Sequence, residues 1–251
     1  MSDLPEPIPA ATLVLMRRAG AGEAPELLMV ERAATMAFAA GALVFPGGRV
    51  DPDDHVAAAA LGGGEDGAAR VASIRETIEE TGIAVGLVPV PDSAAVTRLR
   101  RELAAGRAFS ELLREFGLSL DLSALTPFAR WCPNFRETRR FDTLFFLAEA
   151  PEETFASADE TESVRSFWMS AEAVLAEVEA GRAQAIFPTR RNLERLACFA
   201  SVEEARADAA RHPVAKITPW VEERDGRRFV CIPEDAGYPV TAEAFETARR
   251  S

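Results

Sequence analysis

The sequence is poor in residue types that support several common kinds of protein chemistry. It has three cysteines and two histidines among 251 residues, and neither type occurs at the spacing of a zinc site. The widely spaced Cys132, Cys198 and Cys231 are expected to be free thiols in a reducing cytoplasm. Loop-type residues flank His55 and His212, so we assign a catalytic role to neither histidine.

Long apolar runs are also missing. The apolar stretch at 10–16 is short and is followed by Arg17 and Arg18, unlike a secretory signal peptide. No stretch of the sequence approaches the roughly 20 apolar residues that a transmembrane helix needs. We therefore expect a cytoplasmic protein without a membrane partner.

Lysine is scarce, and acidic residues outnumber basic ones by 40 to 28. Lys216 is the only lysine, and the formal net charge is −12. A protein that binds duplex nucleic acid needs a basic face, so this charge argues against such a partner. An anionic small-molecule substrate remains compatible with it, because a bound metal ion reverses the local field.

The strongest functional pattern lies in residues 75–83. Glu76, Glu79 and Glu80 are spaced i, i+3 and i+4, so a helix would present all three carboxylates on one face. Carboxylates this close repel one another, and a hard cation such as Mg²⁺ or Mn²⁺ would remove the repulsion. A solvated acidic helix is the alternative, and these residues alone favour neither interpretation.

The surrounding segments predict how this helix is placed. Apolar residues at helical spacing predict a helix from about Gly67 to Thr81, which Gly82 ends. The stretch 55–66 is predicted to be an inserted loop, and Pro46-Gly47-Gly48 a turn that approaches a ligand or a neighbouring element closely. Strands are expected at 11–16, 26–31, 83–85, 125–132, 141–148 and 163–169.

A strand, a Pro-Gly-Gly turn and a helix with Arg-Glu-x-x-Glu-Glu-x-Gly together resemble the Nudix hydrolases, whose signature is G-x5-E-x7-R-E-U-x-E-E-x-G-U. Gly48 matches the first glycine, and residues 75–83 match the second half throughout. Asp54 stands where the family has Glu, and 20 residues (55–74) separate it from Arg75 where the family has 7. The resemblance implies an α/β (α+β) Nudix fold, a mixed β-sheet sandwiched between helices, with helical insertions.

The resemblance extends to one branch of that family. Arg32, Met36, Gly41 and Phe45-Pro46-Gly47-Gly48 follow the motif of the coenzyme A diphosphatases, whereas Ala33 and Ala39 replace its Ser and His. We call the signature segment from Gly48 to Ile83 the Nudix box. Its lengthened spacer is similar to that of the branch that includes acyl-coenzyme A diphosphatases. Later segments are also similar to it: Arg139-Arg140-Phe141-Asp142-Thr143 and Phe187-Pro188-Thr189-Arg190.

The family implies hydrolysis of the diphosphate linkage in a nucleoside diphosphate derivative, with coenzyme A or an acyl derivative as the leading substrate. ADP-ribose, nucleotide sugars and dinucleotides are alternatives within the enzyme class, and a non-catalytic ligand sensor is an alternative outside it. The oligomeric state is left open, with a homodimer among the alternatives.

The resemblance also implies roles for particular residues. The metal ligands would be Glu76, Glu79, Glu80 and the Gly47 carbonyl. The catalytic residues would be Glu79, Glu80 and a loop glutamate, Glu160, for which Glu162 in the same loop is the alternative. Arg32, Gly48 and Arg140 would bind substrate, and Arg75 and Gly82 would support the site.

The expected organisation is a Nudix domain over 8–200 and a C-terminal extension over 201–251. The domain would contain a helical insertion at about 92–118, which we consider as part of a substrate cap. The extension is predicted to contain a β-hairpin around Asp225-Gly226 and to pack on the same domain.

Overall fold

A computed structural model describes residues 5–20, 22–33, 41–134, 140–151 and 163–248 of the chain. Numbered in chain order, the strands are β1 (Ile8–Arg17), β2 (Glu26–Arg32), β3 (Leu43–Val44), β4 (Gly47–Arg49), β5 (Leu87–Val88), β6 (Ser119–Leu120), β7 (Thr126–Trp131), β8 (Phe141–Glu149), β9 (Ser163–Ser170), β10 (Lys216–Ile217), β11 (Trp220–Arg224), β12 (Arg227–Cys231) and β13 (Ala242–Ala244). The helices are α1 (Pro52–Ala60), α2 (Gly67–Thr81), α3 (Ser93–Ala104), α4 (Phe109–Phe116), α5 (Ala171–Glu179), α6 (Phe187–Leu196), α7 (Val202–Arg211) and α8 (Phe245–Ala248).

The main sheet is mixed. Its strands follow the order β10-β7-β8-β1-β2-β3, with β4 paired to β1 and β9 paired to β2. The central strand β1 pairs parallel with β8 and antiparallel with β2 and β4. Smaller sheets join β5 to β6, and β11 to β12 and β13.

Each face of the main sheet is covered by helices. In β1, Leu13 and Leu15 belong to the core shared with α1 to α4, whereas Val14 and Met16 belong to the core on the opposite face. This alternation is the period-2 pattern of a strand buried on both faces. The predicted fold class, a mixed sheet between helices, is confirmed.

Helix α2 has the predicted bounds, and Gly82 ends it at φ 70, in the left-handed region. Two neighbouring predictions are wrong. Residues 55–60 are part of α1, because Asp51 precedes the helix, Pro52 opens it, and the following alanines are strong helix formers. Residues 83–85 do not form a strand: Ile83 and Val85 are buried in the core without a ladder partner.

The predicted helical insertion consists of α3 and α4, bracketed by the β5–β6 pair. Its apolar side chains, including Leu99, Leu103 and Phe109, join the core around α2. The strands β11 and β12 form the predicted hairpin, with Asp225 and Gly226 in the left-handed region of its turn.

Part of the predicted C-terminal extension is buried against the main sheet. Val202, Ala205, Val230 and Tyr238 belong to the core that covers the face opposite α2. The division of the chain at residue 200 stays a prediction. Among the described residues, no helix combines the length and apolar character needed to span a bilayer.

Candidate active site

Two adjacent glycines allow the backbone of β4 to pack tightly between β1 and α2. A Cβ at Gly47 would clash with the Ala11 carbonyl and lie 2.7 Å from the Thr12 Cα. A Cβ at Gly48 would clash with the Glu76 carboxylate. Close approach of the backbone therefore requires glycine at Gly47, whereas at Gly48 a side chain would displace the Glu76 carboxylate.

The guanidinium of Arg75 organises the acidic side chains. Its Nε and Nη2 donate to the Asp54 carboxylate at 3.0 and 2.9 Å, and Nη2 also donates to the Arg49 carbonyl at 2.9 Å. Its Nη1 donates to Glu76 Oε1 at 2.8 Å and to Glu79 Oε1 at 3.3 Å. Burial lowers the pKa of Arg75, but the hydrogen bonds and charges of these carboxylates outweigh burial and raise the pKa.

Asp54, the residue that departs from the family signature, links α1 to α2. Its side chain is fully buried, and its Oδ2 also accepts the Asp51 N–H at 2.8 Å. The shorter Asp side chain is therefore compatible with a two-bond ion pair to Arg75. The long spacer between them consists of the rest of α1, the connection at 61–66 and the first part of α2, so it does not interrupt the contact.

The two glutamates near the end of α2 have different surroundings. The Glu80 side chain is buried, and its Oε2 accepts the Gly47 N–H at 3.1 Å. Burial raises the pKa of Glu79; Arg75 opposes that shift, and the charges of Asp51 and Asp54 add to it. A raised pKa makes Glu79 a better proton acceptor near neutral pH than an ordinary glutamate.

One cavity of about 630 Å³ brings most of the predicted site residues together. Its lining includes Arg32, Gly47, Gly48, Arg75, Glu76, Glu79, Glu80 and Arg140. Such a volume is in the range of small-molecule sites, roughly 300–1,000 Å³. Gly82 does not line the cavity and acts at the end of α2. Glu160 lies outside the described residues, as do Met36, Ala39 and Arg139.

The chemistry of these donors fits a hard divalent cation. Carboxylates of Glu76, Glu79 and Glu80 share the cavity with Gly47, and oxygen donors are what Mg²⁺ and Mn²⁺ prefer. In the described parts of the chain, however, no group of three or more acidic, Cys or His side chains is already arranged around one point. Arg75 donates to Oε1 of Glu76 and to Oε1 of Glu79, and its charge compensates these carboxylates.

The rest of the cavity is aromatic and basic. Trp131, Phe141 and Phe145 line it together with the first residues of α6, Pro188 and Thr189. Trp131 and Phe145 are buried. Neither predicted non-catalytic histidine lines the cavity.

The two predicted substrate-binding arginines differ in their contacts. Arg140 donates to the Pro133 carbonyl at 3.3 Å and to the Pro5 carbonyl at 3.1 Å. The buried Nε of Arg32 has no hydrogen-bond partner among the described residues. Both arginines line the cavity, but the Nε of Arg32 is not itself exposed to it.

Sequence reasoning gave no site role to several residues that the fold brings to the cavity. Asp51, Trp131 and Phe141 are examples. Asp51 precedes the Asp54 of the signature, and its Oδ2 lies 3.7 Å from Arg75 Nη2. The Asp-Pro helix start was the available signal, whereas a single aromatic residue in a strand carries no signal for a cavity.

The comparison with solved structures found a substantial likeness to the Nudix hydrolase from Alicyclobacillus acidocaldarius. The two chains are 29% identical, the match covers 82% of this chain and 97% of that one, and the TM-score is 0.73. No protein-family model matches the chain, and the comparison with curated proteins found no significant match.

Weaker likenesses were also found. One is to the Nudix domain of Shewanella oneidensis NrtR complexed with ADP ribose, at 14% identity, 76% and 86% coverage and a TM-score of 0.44. Another is to a C. elegans Ap4A hydrolase binary complex, at 18% identity, 68% and 86% coverage and a TM-score of 0.39. Both are too distant to carry a further argument.

The likeness to the Alicyclobacillus protein extends over most of both chains. It confirms the Nudix fold and the prediction that this chain is an enzyme of the Nudix hydrolase type. It supports membership of the family and does not distinguish the coenzyme A branch from the others.

Proposed function

We propose that this Nudix hydrolase is a metal-dependent diphosphatase that cleaves coenzyme A or an acyl-coenzyme A. The observation that carries the proposal is the cavity that combines three glutamates and Arg75 with Arg32 and an aromatic wall. The acidic part suits a diphosphate neutralised by a cation, and the remainder suits the rest of a nucleotide. The motif around Arg32, Gly41 and residues 45–48 supports coenzyme A as the substrate.

The proposed reaction adds water across the diphosphate linkage. The water oxygen forms a bond to one phosphorus, the bridging P–O bond breaks, and two phosphate monoesters leave. From coenzyme A the products are 4′-phosphopantetheine and adenosine 3′,5′-bisphosphate. A carboxylate oxygen of Glu79 accepts the proton of the attacking water. Glu160 stays a second candidate for this role.

Glu76, Glu79, Glu80 and the Gly47 carbonyl are the proposed ligands of Mg²⁺ or Mn²⁺. When bound, such an ion neutralises phosphate charge and lowers the pKa of a bound water. Arg75 holds two of these carboxylates in place and compensates their charge. The guanidinium of Arg32, a residue of the cavity lining, would bind a substrate phosphate, and the aromatic side chains exclude water.

The central test is a product assay with purified protein and Mg²⁺ or Mn²⁺. Coenzyme A, acetyl-coenzyme A, ADP-ribose, a nucleotide sugar and a dinucleotide are supplied separately, and products are identified by mass spectrometry. We expect 4′-phosphopantetheine or its acyl form with the first two. Cleavage of another substrate alone would replace the coenzyme A proposal, and ligand binding without any turnover would favour the sensor.

Matched variants test the mechanism. Glu79→Gln and Glu80→Gln are expected to lower kcat by roughly 10²–10⁴-fold, because each removes a proton acceptor or a ligand. Glu179→Gln on the exposed end of α5 is the control and should leave kcat unchanged. Unchanged turnover in both active-site variants would contradict the mechanism.

The remaining predictions about the protein's setting are part of the proposal. The described cysteines, Cys132, Cys198 and Cys231, are free thiols, which supports the cytoplasmic location. The proposed partner is a small nucleotide-type molecule, without duplex nucleic acid or membrane. Light scattering tests whether the chain is a homodimer.

A further inference from the structure

The helical insertion does not form a cap over the cavity. None of its residues, which are described throughout 92–118, belongs to the cavity lining. Instead α3 and α4 pack beside α1 and α2, with Leu99 and Leu112 fully buried. The role as part of a substrate cap, which we considered from the sequence, is therefore wrong. The insertion contacts α2 and not the cavity.

One side chain of the insertion reaches the end of α2. Arg100, on α3, donates from Nε to the Glu79 carbonyl at 2.9 Å and from Nη2 to the Glu80 carbonyl at 3.0 Å. The Ile78 carbonyl accepts the Gly82 N–H at 2.9 Å. The last carbonyls of a helix have no intrahelical partner, and a cation beside them is favourable.

We propose that Arg100 is a positioning residue for the metal-binding glutamates. Its two hydrogen bonds hold the backbone of the two residues whose side chains, Glu79 and Glu80, face the cavity. Without them the last turn of α2 frays, and both carboxylates lose their fixed distance to Gly47 and Arg75. This inference rests on the proposed function, because it assigns Arg100 a task only if the glutamates bind a metal.

A second attachment of the insertion offers a matched control. Asp53, on α1, accepts the Ser110 backbone N–H at 2.8 Å and the Ser110 hydroxyl at 2.6 Å. These bonds hold the first turn of α4 and make no contact with the end of α2. Ser110→Ala thus loosens the insertion without touching the carbonyls that Arg100 holds.

The test is Mn²⁺ binding, measured by electron paramagnetic resonance on the full chain without substrate. We expect Arg100→Ala to weaken Mn²⁺ affinity roughly tenfold, as loss of a supporting partner of a metal ligand does. Arg100→Lys keeps the positive charge but lacks the two guanidinium nitrogens that donate to the two carbonyls. Its Mn²⁺ affinity should therefore lie between those of the wild type and Arg100→Ala. Ser110→Ala should lower the melting temperature while Mn²⁺ affinity stays at the wild-type value.

The outcomes separate this inference from the proposed function. If wild-type protein binds no Mn²⁺, or if Glu79→Gln and Glu80→Gln leave Mn²⁺ affinity unchanged, the proposed metal site is wrong. If those variants weaken binding and Arg100→Ala does not, only the role of Arg100 is overturned. Equal weakening by Ser110→Ala would also overturn it, because general loosening would then explain the effect.

Should Arg100→Ala fail to fold, Arg100→Gln and Arg100→Lys carry the same test. Their Mn²⁺ affinities should then both fall below the wild-type value, with Lys above Gln. Wild-type affinity in both would overturn the role of Arg100. As a further control, Arg101→Ala alters an exposed arginine of the same helix and should change neither Mn²⁺ affinity nor kcat.

Discussion

Two buried arginines of this protein, Arg75 in α2 and Arg191 in α6, differ in how their charge is compensated. Every nitrogen of the Arg75 guanidinium donates to an acceptor, and the pKa of Arg75 is raised. Arg191 contacts Glu194 at 2.6 Å and Glu243 at 3.1 Å through Nη2, whereas Nε and Nη1 have no partner among the described residues. Burial lowers the pKa of Arg191, and the two glutamates do not fully offset it.

The difference shows what a buried charge needs. Burial of an ion is costly, and Coulomb attraction alone rarely offsets that cost unless hydrogen bonds satisfy the remaining donors. Arg75 meets that condition through Arg49, Asp54, Glu76 and Glu79, whereas Arg191 has only Glu194 and, from β13, Glu243. We therefore expect the Arg75 cluster to stabilise the fold more than the Arg191 cluster.

The largest expected effect comes from breaking the Arg75 cluster at Asp54. Asp54→Ala leaves Arg75 without its two-bond partner and should lower the free energy of unfolding by about 3–5 kcal/mol. Urea denaturation measures this. Asp54→Asn, which keeps the shape and loses the charge, should be less destabilised. A smaller loss of stability in Asp54→Ala than in Asp54→Asn would contradict the role of the Asp54–Arg75 ion pair.

The two glycines give a smaller effect and separate stability from activity. Gly47→Ala meets the backbone of β1 and should lower the free energy of unfolding by about 1–3 kcal/mol. Gly48→Ala meets the Glu76 carboxylate, a movable group that Arg75 holds. It should therefore change stability less than Gly47→Ala while lowering kcat. Thermal melts and turnover assays on both variants check this, and equal losses in both measurements would contradict it.

Removal of the Arg191 charge should cost little. Arg191→Met is expected to change the free energy of unfolding by less than about 1 kcal/mol, because a poorly satisfied buried charge is replaced by an apolar chain. Glu194 and Glu243 keep ion pairs with Arg190 at 3.4 and 3.1 Å. Arg75→Met is the matched comparison and should cost several times more. A larger loss at Arg191 than at Arg75 would reverse the comparison.

The smallest expected effect is the contribution of Glu79 to the pH dependence of the protein's stability. Burial raises the pKa of Glu79 in the folded state, so the folded protein holds this proton more tightly than the unfolded chain. The resulting stability is fully present below the ordinary Glu pKa and is lost as the pH rises through the raised pKa. In EDTA, the melting temperature of Glu79→Gln minus that of the wild type should therefore increase from about pH 4 to about pH 8. A constant difference would contradict the shift.

Local patterns predicted much of this fold. The bounds of α2 follow from apolar spacing and Gly82, and the β11–β12 hairpin follows from Asp225-Gly226. The local pattern does not predict the helix at 52–60, because the glycines at 62–64 indicate a loop and obscure the Asp51-Pro52 helix start. The interval 83–85 was assigned to a strand because burial and strand formation give similar apolar runs.

Long-range contacts could not be predicted in the same way. The sequence grouped Glu76, Glu79 and Glu80, but no local pattern connects Arg100 with their carbonyls or Glu243 with Arg191. Such pairs depend on how α3 and β13 pack, and packing is set by the whole core. The site residues within the Nudix box can therefore be predicted from their spacing in the sequence, whereas the residues that support the site cannot.

The parallel pairing of β1 with β8 has a consequence for how the chain folds. It joins residues 8–16 to residues 141–149, and Thr12 and Phe145, which are direct partners, both line the cavity. Contacts between segments so distant in sequence carry a high loop-closure entropy and slow folding. The cavity thus has no complete wall until more than half of the chain has left the ribosome, so the nascent protein cannot hydrolyse substrate before that point.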